Sequence, residues 1–291
     1  MMKPNFFILG APKCGTTSLA TWLAEHPEIY LPSTKEPHFF NTDHKRLTGS
    51  LQAYEALFAA ADERHRAIGE ASVWYLSSAA AVTNILSYAP EAKFIVMLRN
   101  PMEMAPSLHE EMVFTGRDDV ADFAEAWSLQ ELRRNGRRVP FMVWEPKFVQ
   151  YGDACSLGKQ VARLLETVSP ERVKFLLLEN IARDPATAYR SVLQFLGVSD
   201  DGRRDFGVHN QAKTRKWPSL VAAAWAVSNV KRALGIGGGL GVWKRIDAMN
   251  RVERPRPPIA EDMRRTLKDY FAADVALLQN LISCDLRHWS L

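Results

Sequence analysis

The sequence predicts an α/β fold: a central parallel sheet with helices on both faces and a helical C-terminal appendage. Three observations predict it. Short apolar runs at 6–9, 94–98 and 173–178 alternate with segments of helical periodicity, and strands that are nearly continuously apolar belong to parallel sheets covered on both sides. Each run leads directly into a helical pattern, the repeat of a strand-helix-strand unit. Hydrophobic residues make up 47% of the 291 positions, enough to fill a large core.

The elements follow in order. After the first run, residues 16–26 read as helix, and further helices fall at 51–61 and 79–89. The second run is followed by Pro101, placed where a helix tolerates proline because its first N–H has no partner anyway. Helices at 120–134 and 156–168 lead to the third run. Pro185 then opens a helix over 185–196. The last third changes character. Residues 219–244 mix tryptophan and alanine with Lys231, Arg232 and Lys244, contain Gly237, Gly238 and Gly239, and precede a proline-rich stretch at 254–258. We read residues 216–258 as a lid or acceptor-side insertion and 260–282 as a C-terminal helix. No internal repeat is visible, and one domain over 1–291 is expected.

Charge and cysteine usage narrow the classes of function. A formal net charge of +4 is too mild for a dedicated nucleic-acid binder but suits an anionic ligand. The three cysteines, Cys14, Cys155 and Cys284, lack metal-ligand spacing and an even count, which fits a reducing cytoplasm better than a disulfide framework or a zinc site. The start, Met-Met-Lys-Pro and a short apolar run, has no signal-peptide core, and no 18-residue apolar stretch occurs elsewhere. A soluble, cytoplasmic protein is expected.

The chemistry concentrates after the first strand, in Gly10-Ala11-Pro12-Lys13-Cys14-Gly15-Thr16-Thr17-Ser18. A nucleotide-triphosphate P-loop has the pattern GxxxxGK[ST], with its lysine on the β and γ phosphates. Here Gly10 and Gly15 keep the spacing, Thr16 stands where that lysine belongs, and Lys13 lies inside the loop. The fold is therefore P-loop-like and three-layered, with the cradle kept and the cation moved. Backbone N–H groups at a helix start and the hydroxyls of Thr16, Thr17 and Ser18 suit one phosphate, with Lys13 directed at the group beyond it. The alternative is an ordinary strand-to-helix turn capped by a hydroxyl.

The second strand ends in Arg99-Asn100-Pro101, with Ser107 in the following helix. A guanidinium and a hydroxyl bind an anion rather than magnesium, in contacts worth about 1.5–3 kcal/mol when charge-assisted. The third strand leads to Glu179, whose plainer reading is a structural carboxylate rather than a metal ligand.

Together these residues resemble the sulfotransferase family that uses 3'-phosphoadenosine 5'-phosphosulfate (PAPS), in its bacterial branch related to the carbohydrate sulfotransferases. Pro12 to Ser18 is similar to that family's 5'-phosphosulfate loop, and Arg99 with Ser107 to its 3'-phosphate site. Further similarity lies in Lys35-Glu36-Pro37-His38-Phe39-Phe40, Gly69-Glu70-Ala71-Ser72, Leu178-Glu179-Asn180-Ile181 with Asp184-Pro185, Phe195-Leu196-Gly197, and from Asp269-Tyr270-Phe271 to Trp289. The animal carbohydrate enzymes carry a lysine where Ala71 stands, so a different mode of acceptor recognition is implied.

The resemblance implies transfer of a sulfuryl group from PAPS to a hydroxyl or amine by in-line displacement, leaving adenosine 3',5'-bisphosphate and needing no metal. Lys13 suits the leaving oxygen and the cofactor loop includes Cys14 and Gly15. Glu36 resembles the family's catalytic glutamate. Its rival as base is His38, since histidine titrates near neutral pH, and residues two apart in an extended segment face the same way. Phe39 and Phe40 are expected to pack beneath this segment. The loop 209–215 resembles the family's late basic loop, which would bring Lys213 and Arg215 to the 3'-phosphate, a solvated charge cluster being the alternative. Cys14 reads as a small loop filler, or else as a thiol activated at a helix start. The acceptor class is a saccharide or another small molecule or natural product. A small-molecule kinase, and a membrane-surface or partner-binding module built on Trp217, Trp225 and Trp243, are the competing readings.

Overall fold

The computed structural model describes residues 2–44, 49–207, 213–215, 251–253 and 259–290. Contacts divide the chain into two units, one holding 1–104, 155–210 and 266–291, the other 105–154 and 211–265.

The first unit is built on a five-stranded sheet of β1 (Phe6–Gly10), β2 (Ile29–Tyr30), β3 (Ala67–Ala71), β4 (Lys93–Leu98) and β5 (Val173–Leu177), in the order β2-β3-β1-β4-β5. All neighbours run parallel: Phe6 pairs with Gly69 on one side and Lys93 on the other, and Phe94 pairs with Val173. Continuous apolarity has the expected cause, since every residue of β1 is buried. Each large side chain there contributes about 1.5–3 kcal/mol of burial. Phe7 sits between Phe40, edge-on at 5.9 Å, and Phe94, stacked at 6.2 Å.

The helices associated with this unit are α1 (Thr16–Ala24), α2 (Leu51–Glu55), α3 (Ala81–Tyr88) and the start of α4 (Pro101–Phe114). Further along the chain lie α5 (Phe123–Ser128), α6 (Gln130–Arg134), α7 (Tyr151–Cys155) and α8 (Leu157–Leu165), then α9 (Leu178–Arg183), α10 (Pro185–Leu196) and, near the C-terminus, α11 (Glu261–Ile282). The helix expected over 120–134 is thus two short ones that meet at Leu129. The third strand stops at Leu177, one residue early, because Leu178 already opens α9. Strands β2 and β3 carry no long apolar run and were not expected.

Two contacts anchor the C-terminal region within the first unit. Asp274 on α11 accepts from the amides of Gly158 at 2.8 Å and Lys159 at 2.9 Å, capping the start of α8 from outside that helix. At the chain end Trp289 donates its indole N–H to Glu179 at 2.6 Å, and its carbonyl accepts from Asn100 at 3.1 Å, so the last residues return to the ends of β4 and β5.

In the second unit Arg133 and Asp118, both buried, form a bidentate pair at 2.7 and 2.8 Å, and Tyr151 donates to the same carboxylate at 2.5 Å. Burial opposes ionisation of Asp118, but the Arg133 and Tyr151 bonds outweigh it and hold the carboxyl below its ordinary range. Strands β6 (Lys213–Arg215) and β7 (Arg251–Glu253) pair antiparallel there, with Lys213 opposite Glu253. The expected insertion at 216–258 lies outside the described residues except for β7. Among the described residues no helix is long and apolar enough to cross a membrane.

Candidate active site

In parallel α/β sheets ligands bind beyond the carboxyl ends of the strands, where the strand order reverses. Here β3 lies on one side of β1 and the next strand in sequence, β4, on the other. The Gly10–Ser18 loop follows β1 and Arg99 follows β4, so both anion motifs stand at that point.

The loop is built for close approach. Gly15 caps α1 with φ 83°, and no side chain caps the helix start. Gly10 has φ 126°, and a Cβ there would lie 2.2 Å from the Val73 carbonyl oxygen. Only glycine meets both demands without strain. Lys13, between them, is also left-handed at φ 63°, a conformation costing a non-glycine residue about 1–3 kcal/mol and concentrated at functional sites. Lys13, Thr17 and Ser18 are half-buried and Thr16 is buried. A helix start with positive partial charge and no side-chain cap, beside a lysine, fits a phosphate group.

Arg99 joins this loop directly. Its Nη1 donates to the Lys13 carbonyl at 3.3 Å, while Nε and Nη2 reach Glu103 at 3.3 and 3.0 Å. Glu103 is exposed and Arg99 mostly covered, so an arriving phosphate would compete with a solvated carboxylate for a preplaced guanidinium. Ser107 lies two turns into α4 and is buried. Lys213 and Arg215 lie on β6 in the second unit.

Cys14 is completely buried, its Sγ 3.5 Å from the Pro12 carbonyl and 3.9 Å from the Met104 sulfur. Burial pushes its thiol up to about 12, against the smaller opposing pull of Arg99. The activated-thiol alternative is therefore corrected: desolvation outweighs the helix start and the nearby cations, and Cys14 fills space.

Glu36 and His38 meet. His38 Nε2 stands 3.3 Å from Glu36 Oε2, with the imidazole 2% exposed and the carboxylate side chain 40% exposed. The segment is not extended as expected: both residues are left-handed, at φ 53° and 48°. It is anchored on residues 71–75. The Glu36 amide donates to the Ala71 carbonyl at 3.2 Å, the His38 amide to Ser72 Oγ at 3.2 Å, and the Phe39 and Phe40 amides to the Tyr75 hydroxyl at 2.9 and 3.2 Å. Phe40 is buried, and Phe39 stacks on Tyr54 at 4.7 Å, beneath the segment as expected.

The same 71–75 segment touches the phosphate-type loop. The Ser72 amide bonds the Ile8 carbonyl at 3.1 Å, the Leu76 amide bonds that of Leu9 at 2.9 Å, and Val73 abuts Gly10. One short segment therefore ties the loop to the Glu36–His38 pair. Sequence reasoning missed its interior: Glu70 and Ser72 are fully buried, and Ser72 Oγ donates to Glu70 Oε1 at 2.8 Å. A lone glutamate inside Ala-Ile-Gly-Glu-Ala was the available signal. Among the described residues no three histidine, cysteine or carboxylate side chains cluster to hold a metal ion.

The comparisons with known proteins point to one family. A crystal structure of a sulfotransferase from Alicyclobacillus acidocaldarius matches with a TM-score of 0.75 and 31% identity, covering 100% of each chain. Mouse heparan sulfate glucosamine 3-O-sulfotransferase 3A1 is 25% identical over 268 residues, 92% of this chain and 60% of its own. Mouse carbohydrate sulfotransferase 15 is 33% identical over 162 residues, 41% of this chain and 28% of its own. The chain thus spans less than two thirds of the length of these curated relatives. The model of the sulfotransferase family matches residues 4–202, and with full-length similarity to a solved member the chain belongs to the sulfotransferase family.

Proposed function

We propose that this protein transfers a sulfuryl group from PAPS to a hydroxyl or amine of a saccharide or related small-molecule acceptor. The observation that carries this reading is the bond from Arg99 Nη1 to the Lys13 carbonyl, because it sets two separate anion-binding motifs side by side, as a ligand carrying phosphate at both ends would require. A mouse sulfotransferase solved with adenosine 3',5'-bisphosphate shares the fold, with a TM-score of 0.50 at 16% identity. The mouse relatives named for heparan sulfate and carbohydrate support a saccharide acceptor. A kinase would want the lysine that Thr16 replaces.

PAPS, when bound, supplies the sulfuryl group and a phosphate leaving group. The amides after Gly15 and the hydroxyls of Thr16, Thr17 and Ser18 would hold its 5' end, and Arg99 its 3'-phosphate. Lys13 places a positive charge where negative charge grows on the leaving oxygen. Glu36, half-exposed, accepts the proton of the acceptor hydroxyl, and His38 orients its carboxylate from the buried side. Lysine and arginine supply this charge compensation without a metal, and a cytoplasmic location suits the donor.

Incubating the protein with labelled PAPS and a panel of heparosan, chondroitin, simple phenols and hydroxylated lipids, with products identified by mass, tests the reading. A sulfated product and released adenosine 3',5'-bisphosphate are expected. Failure of PAPS to bind would contradict it.

A further inference from the structure

Glu70 is the least expected residue in the first unit: a carboxylate in a central stretch of sheet with no exposed surface. Its Oε1 takes the Ser72 proton, while its Oε2 and the Nδ1 of His38 are buried with no hydrogen-bond partner. A buried carboxyl with one oxygen left unpaired is costly, and a leucine there would fit a parallel strand better. Its effect on its neighbours gives a reason. A serine hydroxyl has one proton to give and two lone pairs. Glu70 takes the proton, so Ser72 is left as an acceptor, and the His38 amide is what it accepts. The Tyr75 hydroxyl likewise accepts from the Phe39 and Phe40 amides, and Glu70 is the acidic group that acts on it most strongly. Tyr75 also sets its ring edge-on to the His38 imidazole at 6.1 Å. The His38 amide therefore rests on a hydroxyl whose direction one buried carboxyl sets, and the next two amides rest on the Tyr75 hydroxyl beside it.

We propose that Glu70, acting through the Ser72 hydroxyl, is the positioning residue of the Glu36–His38 pair, holding the His38 backbone in place so that imidazole and carboxylate stay in contact. This rests on the reading of Glu36 and His38 as the proton-accepting pair. The alignment needed for proton removal is lost with displacements near 1 Å, which a freely rotating Ser72 hydroxyl would allow.

The test measures adenosine 3',5'-bisphosphate release from PAPS, with heparosan oligosaccharide as acceptor and with water alone, in the full chain. Glu70→Met and Ser72→Ala are each expected to lower kcat about 10- to 100-fold, with KM for PAPS and the stoichiometry and affinity of adenosine 3',5'-bisphosphate unchanged. Glu70→Gln and Ser72→Thr, which keep the oxygen acceptors, should restore most of the rate. In a Glu36→Gln background neither Glu70→Met nor Ser72→Ala should cost much more. A merely structural role would instead lower binding stoichiometry in step with kcat. Should Glu70→Met fail to fold, Ser72→Ala carries the same comparison. Wild-type kcat in the soluble variants, or the same loss with and without Glu36, overturns the positioning role alone. Full turnover by Glu36→Gln itself would remove the base assignment and this inference with it.

Discussion

His38 Nε2 lies 3.3 Å from Glu36 Oε2, the imidazole inside the protein and the carboxylate half in solvent. In the proposed mechanism the outer group, Glu36, is the one that meets the acceptor. Glu36→Gln should lower turnover by about 10²–10⁴ with adenosine 3',5'-bisphosphate binding nearly intact, as for loss of a general base. His38→Asn should cost less. The reverse order in steady-state kinetics would move the proton to the histidine.

The buried Arg133–Asp118 pair should dominate the stability of its unit. Removing one partner leaves the other charged and unpaired, so Asp118→Asn should cost about 3–5 kcal/mol in denaturant unfolding. Because the folded-state carboxyl is held below the ordinary value of about 3.9, its contribution is in place above that value. It is lost as pH falls through the lower folded-state value. A stability difference between parent and variant that does not shrink on acidification would contradict this.

Glu70 works in the opposite sense. Burial raises its carboxyl above the usual range, with Tyr54 and Ser72 opposing less strongly. Its protonated form therefore favours folding below the ordinary glutamate value of about 4.3, and the advantage fades as pH rises toward the folded-state value. Glu70→Gln should gain stability relative to the parent over that rise. A difference independent of pH would place Glu70 in a more solvated setting.

Thiol labelling checks the loop interior. Cys14 and Cys155 are buried with thiols raised by desolvation, whereas Cys284 is part-exposed. Iodoacetamide at pH 8 should modify Cys284 well before the other two in the folded protein, read by peptide mass. Early labelling of Cys14 would mean that the loop opens.

Removal of the Asp274 carboxylate should release the first amides of α8. Asp274→Ala is expected to cost about 0.5–2 kcal/mol, the value of a lost helix cap, measured by thermal or chemical unfolding. An unchanged midpoint would show that water replaces it.

Strands β1, β4 and β5 were legible because each is mostly apolar, with Lys93 and Lys174 the exceptions, and the loop after β1 because its glycine spacing has a physical meaning. Strand β3 was not, since Ala-Ile-Gly-Glu-Ala puts a glycine under the Phe6 ring and a buried carboxylate where an apolar side chain was expected. Glu36 and His38 were both read as site residues, but their meeting was ascribed to an extended strand. Two departures into left-handed backbone, at Glu36 and His38, whose amides bond Ala71 and Ser72 from elsewhere in the chain, leave no local trace in sequence. The helix over 120–134 was drawn too long for the same kind of reason: Leu129 breaks it, and Arg133 turns inward to Asp118, a tertiary partner that periodicity does not reveal.

The proposed function requires Lys13 and Arg99 to grip one doubly phosphorylated ligand, and calorimetric titration in the presence of EDTA tests that most directly. Adenosine 3',5'-bisphosphate should bind, adenosine 5'-monophosphate about 10- to 100-fold more weakly for want of charge-assisted contacts at its 3' side, and Arg99→Ala should erase the difference. Equal affinity for the two nucleotides, or far tighter binding of ATP once magnesium is restored, would contradict it.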